Sequence, residues 1–171
     1  MAKGPRYAVQ FRRKREGKTN YGKRLKILRA RLPRLVVRKS NKYITIQIAE
    51  FNAKGDKILI TAHSSELKKM GWSHGMKSLP AAYLTGIIAA KKAAEKKVKK
   101  AVLDIGSYAS SKGTKLFAAL KGAVDGGLEI AFSPEILPDE KRLSGQHIAD
   151  FLKKPSIVTE FVQIKHKLMG K

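Results

Sequence analysis

Between Gly4 and Tyr21 the chain sets cationic side chains among aromatic rings: Arg6-Tyr7, then Phe11-Arg12-Arg13-Lys14-Arg15, and, past Glu16 and Gly17, Lys18-Thr19-Asn20-Tyr21. The chemistry open to such a segment is recognition rather than bond making. Guanidinium forks match phosphate oxygens two at a time, and Tyr7, Phe11 and Tyr21 offer flat faces on which unpaired bases stack. The competing use of Phe11 and Tyr21 is to pin the segment to the domain behind it, as single rings at the start of a helix commonly do.

Residues able to make or break bonds are sparse. Metal-assisted phosphodiester cleavage, the enzymatic alternative for a strand-rich RNA-binding chain of the ribonuclease H type, needs several converging carboxylates, the first usually on the opening strand. Residues 34–39 contain none. Asp104, at the end of an apolar run, suits a cap or a loop organiser better than a lone metal ligand. Gly17-Lys18-Thr19 echoes the end of a phosphate loop, but the required glycine five residues earlier is Arg12, and no hydrophobic strand precedes it. The run Gly122-Ala123-Val124-Asp125-Gly126-Gly127 follows a helical pattern, so helix termination explains it better than a dinucleotide fingerprint. His63, His74, His147 and His166 are too scattered for a local metal motif, and cysteine is absent, which excludes disulfides and cysteine-ligated zinc. The expectation is a protein with no catalytic residues, no metal and no cofactor.

Charge points the same way. Lysine and arginine number 37 against 13 acids, a formal net charge of +24, which calls for a polyanion to neutralise it. The excess is concentrated: residues 1–42 carry +15, residues 43–100 carry +7 and residues 101–171 carry +2. A surface charged only for solubility would spread that excess. The longest largely apolar run, residues 79–90, is too short to cross a bilayer, so no membrane role is expected.

The elements that must position these groups read as one α/β layer fold. Tyr21, Leu25, Leu28 and Leu32 recur at helical spacing behind Thr19 or Asn20 as cap, predicting a helix that docks on this stripe and ends at Pro33. Residues 34–39, 43–51 and 57–63 predict strands of an antiparallel meander, with Ile44, Ile46 and Ile48 alternating. Ser64 or Ser65 and Gly71 bracket a short helix, and Ser78 with Pro80 opens a longer one whose inner stripe is Tyr83, Ile87, Ala90, Ala94 and Val98. Lys91, Lys92, Lys96, Lys99 and Lys100 read as a solvent face. Residues 101–105 and 128–132 predict two further strands around a helix lined by Leu116, Phe117, Leu120 and Val124. A helix over 146–153 and a tail with Ile157, Phe161, Ile164 and Leu168 at helical spacing complete the chain. The predicted fold class is α/β: a three-stranded antiparallel meander continued by αβαβ into a mixed sheet with helices packed on it. Residues 1–32 form a basic arm and helix, 33–133 the core domain, and 134–171 a C-terminal helix and tail packed on that core or on neighbouring components.

Over nearly its whole length the sequence resembles the archaeal and eukaryotic branch of a ribosomal family. This is the 5S-rRNA-binding large-subunit protein of universal family eighteen, counterpart of eukaryotic large-subunit protein five. The resemblance runs through residues 11–21, through Pro33-Arg34-Leu35-Val36-Val37-Arg38-Lys39-Ser40-Asn41, and through residues 116–127, with Gly145, His147 and Ile148 also in matching places. The long C-terminal extension of eukaryotic members has no counterpart, which suits an archaeal-type member. Asn20 stands where relatives often carry aspartate.

The resemblance implies a structural constituent of the large subunit, cytoplasmic and on the ribosome, binding 5S rRNA in the central protuberance. Implied partners are 23S rRNA, a second 5S-rRNA-binding ribosomal protein and other large-subunit proteins, without self-association. It places RNA contacts on Arg6, Tyr7, Phe11, Arg12, Arg13, Arg15, Lys18, Thr19, Tyr21, Arg24, Arg34, Arg38, Ser40 and Asn41. A secondary contact falls on the loop at 106–115, through Tyr108, Lys112 and Lys115.

Overall fold

The computed structural model describes residues 4–170; residues 1–3 of the expected arm and residue 171 of the expected tail lie outside them. After a turn at Gly4, the arm forms a single helical turn, α1 (Arg12–Arg15), and then α2 (Tyr21–Leu28), which Asn20 caps by accepting from the Lys23 N–H at 3.0 Å. The alternating apolar stretches form β1 (Arg34–Lys39), β2 (Ile44–Glu50) and β3 (Lys57–His63), joined as antiparallel neighbours. A short helix, α3 (Glu66–Lys69), leads to α4 (Leu79–Glu95), whose cap Ser78 accepts from the Ala81 N–H. The crossover delivers β4 (Val102–Asp104) parallel to β1, so the sheet order is β3-β2-β1-β4. Helix α5 (Lys115–Asp125) ends at Gly126, with Gly127 at φ +100°. The chain closes with α6 (Glu140–Leu143), α7 (Gln146–Leu152) and α8 (Ser156–Met169).

Strand alternation divides the sheet into two unlike faces. Leu35, Val37, Ile44, Ile46, Ile48, Ile60 and Ala62 point to the side covered by α4 and α5 and are buried there. Arg34, Val36 and Arg38 of β1 point to the other side, facing Ala49, Gln47 and Thr45 across the β1–β2 ladder. That face carries α2 and the arm, and is otherwise open.

Several expectations are corrected. The predicted fifth strand at 128–132 is a single parallel bridge between Lys100 and Glu129; β4 itself has three residues, leaving no length over which a ladder could extend. Helix α2 buries no residue: Leu25 is 58% exposed, and the partly buried positions are Arg24, Ile27 and Leu28. It also stops at Leu28, ahead of Pro33, in a turn that puts Arg31 at φ +51°. The surface beneath it is the polar face of the sheet, so an arginine rather than the leucine stripe sets its rotation. In α4 the phase shifts by one position, with Ala93 buried and Ala94 exposed. Every residue from Leu79 to Ala90 is buried, because sheet, α5, α6 and α8 surround that stretch. Lys92 is no free solvent lysine: its Nζ donates to both Glu66 carboxylate oxygens at 2.8 Å and to the Thr61 carbonyl at 2.9 Å. The tail docks on the chain's own core, with Ile157, Phe161, Ile164 and Leu168 buried and the Phe161 ring 5.5 Å from that of Tyr83.

The glycines of α5 have a second use beyond termination. A Cβ at Gly122 would run into the Tyr83 carbonyl, and one at Gly86 into the Ala119 carbonyl, so α4 and α5 pack backbone to backbone. Pairing of Tyr83 with Gly122 and of Ile87 and Ala90 with Gly126 makes these two helices parallel. Gly122→Ala is expected to lower unfolding stability by about 1–3 kcal/mol through overpacking. Gly75→Ala, at a glycine with open space around it, should stay within about 0.5 kcal/mol. Urea unfolding of the two variants checks the contrast.

Candidate nucleic-acid interface

The open face of the sheet, α2 and the end of the arm enclose a groove of about 550 Å³. Its walls carry the cations Arg13, Lys18, Lys23, Arg24, Lys26 and Arg38, with Arg34 at the base, against two carboxylates, Asp56 and Asp104. Between the charges lie hydrogen-bonding groups of the strands: Gln47 Nε2 donates to Thr61 Oγ1 at 3.2 Å, and both stand on the open face. Such a surface offers charge to phosphates and neutral donors and acceptors to sugar hydroxyls.

Arg34 organises the groove from below. Its side chain is 3% exposed, with Nη1 donating to Asp104 Oδ2 at 2.8 Å and Nη2 lying 2.6 Å from Asp56 Oδ2. The second approach is a close charge contact outside hydrogen-bond geometry, and Arg34 Nε has no acceptor among the described residues. Asp56 takes both its oxygens to Arg24 Nη2, at 2.8 and 2.9 Å, which fastens α2 to the β2–β3 turn. Asp104 accepts the Gly106 N–H at 2.8 Å and lies 3.8 Å from Arg38 Nη2, so it is a loop organiser. Arg38 Nη1 donates to the Val37 and Asp104 carbonyls, and part of its side chain remains exposed. Burial pushes the Asp56 carboxyl up, but the hydrogen bonds from Arg24 and the charges of Arg24 and Arg34 outweigh it and hold the group below the usual aspartate range.

The arm is a folded turn. Arg13 Nε donates to Thr19 Oγ1 at 2.9 Å, and the Arg13 carbonyl accepts the Lys18 and Thr19 N–H groups. Gly17, at φ +66°, donates to the Lys14 carbonyl, which together with the Lys18 bond closes α1 with a left-handed C-terminal cap. Glu16 pairs with Arg12 at 3.1 Å and with Lys18 at 2.8 Å. Phe11 and Tyr21 meet at 5.6 Å between centroids, yet Phe11 stays 74% exposed, so this pair braces the arm while leaving ring surface in water.

Of the residues expected from the sequence, Arg13, Lys18, Thr19, Arg24 and Arg38 converge on one groove. Arg6, Tyr7, Phe11, Arg12 and Arg15 lie on the exposed arm leading to it. Arg34 is withdrawn from the surface, and its place is structural. Ser40 and Asn41 sit at the far end of β1, where Ser40 Oγ accepts the Tyr43 N–H and shapes the β1–β2 turn. Tyr108 donates to the Lys39 carbonyl at 2.9 Å and Lys112 pairs with Glu135 at 3.2 Å, which leaves Lys115 as the lysine of that loop's trio without an ion pair among the described residues. Sequence reasoning missed Gln47 and Asp56. Alternation from Ile46 and Ile48 places Gln47 on the open face, and Asp56 is the one acid in residues 51–65. Among the described residues no group of three or more metal-capable side chains occurs, and no helix is long and apolar enough to cross a membrane.

A sheet insulated on one side and roofed by cations on the other defines a protein built to hold a polyanion. The chain belongs to the family described as "Ribosomal large subunit proteins 60S L5, and 50S L18", which it matches over residues 5–99 and 92–133. Among similar proteins are large ribosomal subunit proteins uL18 of three archaea. That of Korarchaeum cryptofilum is 54% identical over 154 residues, 90% of this chain and 79% of the relative. That of Methanoregula boonei is 48% identical over 95% of this chain and 94% of the relative. That of Methanothrix thermoacetophila is 44% identical over 99% of this chain and the whole of the relative. This is a family of ribosomal structural proteins and not an enzyme family.

Because the folded-state pKa of Asp56 is depressed, its contribution to stability is complete above the unfolded value of about 4 and is lost as pH falls through the folded value. Glu66, where burial is outweighed by Lys92, and Glu160, where it is outweighed by Ser73, have the same sign. Thermal stability is therefore expected to fall below about pH 4, with a shallower acid limb in Asp56→Asn. An unchanged acid limb in that variant would contradict the assignment.

Proposed function

We propose that this protein binds 5S rRNA and helps anchor it to the large ribosomal subunit in the central protuberance. Its neighbours there are 23S rRNA, a second 5S-rRNA-binding ribosomal protein and other large-subunit proteins. The observation that carries the reading is the cationic groove over the open sheet face, continuous with an arm that presents further arginines and aromatic rings. The relatives' names attach them to the large subunit, and the chemistry of the groove suits a ribonucleic acid rather than an acidic protein. Flat rings take bases, and the Gln47–Thr61 pair and its neighbours suit 2′-hydroxyls.

The mechanism is positioning. The folded arm lies along RNA and its arginines displace condensed counterions, while the groove reads backbone shape rather than a linear base code. No bond is made or broken. If about six phosphates are neutralised, log affinity falls with log salt at a slope of roughly −4 to −5.

Competition binding at fixed salt is the test. The protein should prefer folded 5S rRNA over an equally charged RNA duplex, whereas a binder indifferent to sequence and shape would not, and a nuclease would shorten the RNA when divalent metal is added. Removing residues 1–18 is expected to abolish most of the affinity while the α/β body keeps its circular dichroism. Full affinity in the truncated protein would refute the arm's role.

A further inference from the structure

A second concentration of positive charge lies at the carboxyl end of β1 on the helix-covered side of the sheet, whereas the groove runs along the other face. Lys39 at the end of β1, Lys77 ahead of α4, Lys115 at the start of α5 and Arg142 of α6 line one cleft of about 460 Å³. Four separate stretches of chain bring these cations together, and no carboxylate lines the cleft. None of the four makes an ion pair among the described residues. The nearby acid Glu135 is engaged with Lys112 at the rim.

The fold explains why this end is positive. Since α4 and α5 run parallel, their N-termini open at the same end, and Leu79 and Leu116 from those two first turns both line the cleft. Their backbone dipoles add there rather than cancel. The cap of α5, Thr114, makes no side-chain bond to the helix, and its buried Oγ1 has no partner among the described residues. The cleft also lies beside the carboxyl ends of the parallel strands β1 and β4, the side on which α/β sheets take ligands. Burial together with repulsion from Lys77 and Lys39 holds the Lys115 ammonium below the usual lysine value, a cost an anion would remove.

We propose that this cleft binds a phosphodiester of an RNA segment other than the one seated on the arm and groove, making the protein a two-point clamp. The proposal rests on the reading of the chain as an RNA binder. The second segment is a distant part of 5S rRNA or a stretch of 23S rRNA, and both offer the same group.

The test uses the full chain with 5S and 23S rRNA transcripts separately, comparing wild type with the double variant Lys77→Gln/Arg142→Gln and with a protein lacking residues 1–18. In the double variant, affinity for one transcript is expected to fall about tenfold, and the salt slope to become shallower by roughly one to two. Loss with 5S rRNA alone marks the second segment as part of that RNA, and loss with 23S rRNA alone makes the clamp a bridge. Unchanged affinity and slope with both transcripts would overturn the proposal. So would competition by polyglutamate that depends on the two cations while RNA binding does not. If removing the arm has no effect but the double variant does, the groove reading fails and the cleft stands.

Because the chain has no cysteine, a cleaving iron chelate can be tethered at Ala109→Cys beside the cleft or at Ala8→Cys on the arm. The two should cut RNA at separate places even where affinities are hard to compare. Coincident cuts would refute the two-point clamp.

Discussion

Arg34 carries a full positive charge to a place that water barely reaches, and it stays there because Asp104 and Asp56 approach its guanidinium from two sides. Burying such a charge unpaired would be prohibitive, and removing one partner of a buried pair typically costs about 3–5 kcal/mol. The arrangement therefore holds or fails as a unit. It joins β1 to β4 through Asp104 and the β2–β3 turn to α2 through Asp56 and Arg24. The seat of the groove and the attachment of the helix above it are set by the same few side chains. Buried ion pairs are weak devices for stability but good ones for fixing a unique geometry, and here the geometry in question is that of a binding surface.

The second constraint is the division of the sheet. A chain of net charge +24 must keep its cations apart while it folds. It does so by giving the middle of one sheet face to apolar packing against α4 and α5, with Lys39 at its edge, and leaving the other face to polar strand residues and the basic arm. The close approach of α4 to α5 through Gly86, Gly122 and Gly126 thickens the apolar side and leaves two helix N-termini at one end. Packing and electrostatics are thus coupled: the glycines that let the helices touch also align the dipoles that make that end attractive to anions.

The elements with strict local signals were legible in the sequence. Alternation of Ile44, Ile46 and Ile48 identified β2 and its buried face, Thr19 or Asn20 and then Ser78 marked helix starts, and Gly126-Gly127 marked the end of α5. Signals that depend on what lies opposite were misread. The leucine spacing in α2 suggested an apolar docking face, but the surface beneath is polar and Arg24 decides the rotation. Ala94 and Ala93 cannot be told apart by periodicity in a helix buried nearly all round. Gly122 looked like part of a terminator because its true neighbour, the Tyr83 carbonyl, is 39 positions away in sequence. Arg34 resembled its strand neighbour Arg38, and only the convergence of Asp56 and Asp104 from distant positions separates the buried arginine from the accessible one.

A reconstruction of the large ribosomal subunit containing this chain measures the central claim most directly, through the surroundings of Arg13, Lys18, Arg24 and Arg38. The account predicts 5S rRNA phosphates within hydrogen-bonding distance of most of these groups, with Arg34 still paired beneath them. A map in which that groove faces solvent or is filled by another protein, while 5S rRNA lies elsewhere, would contradict it.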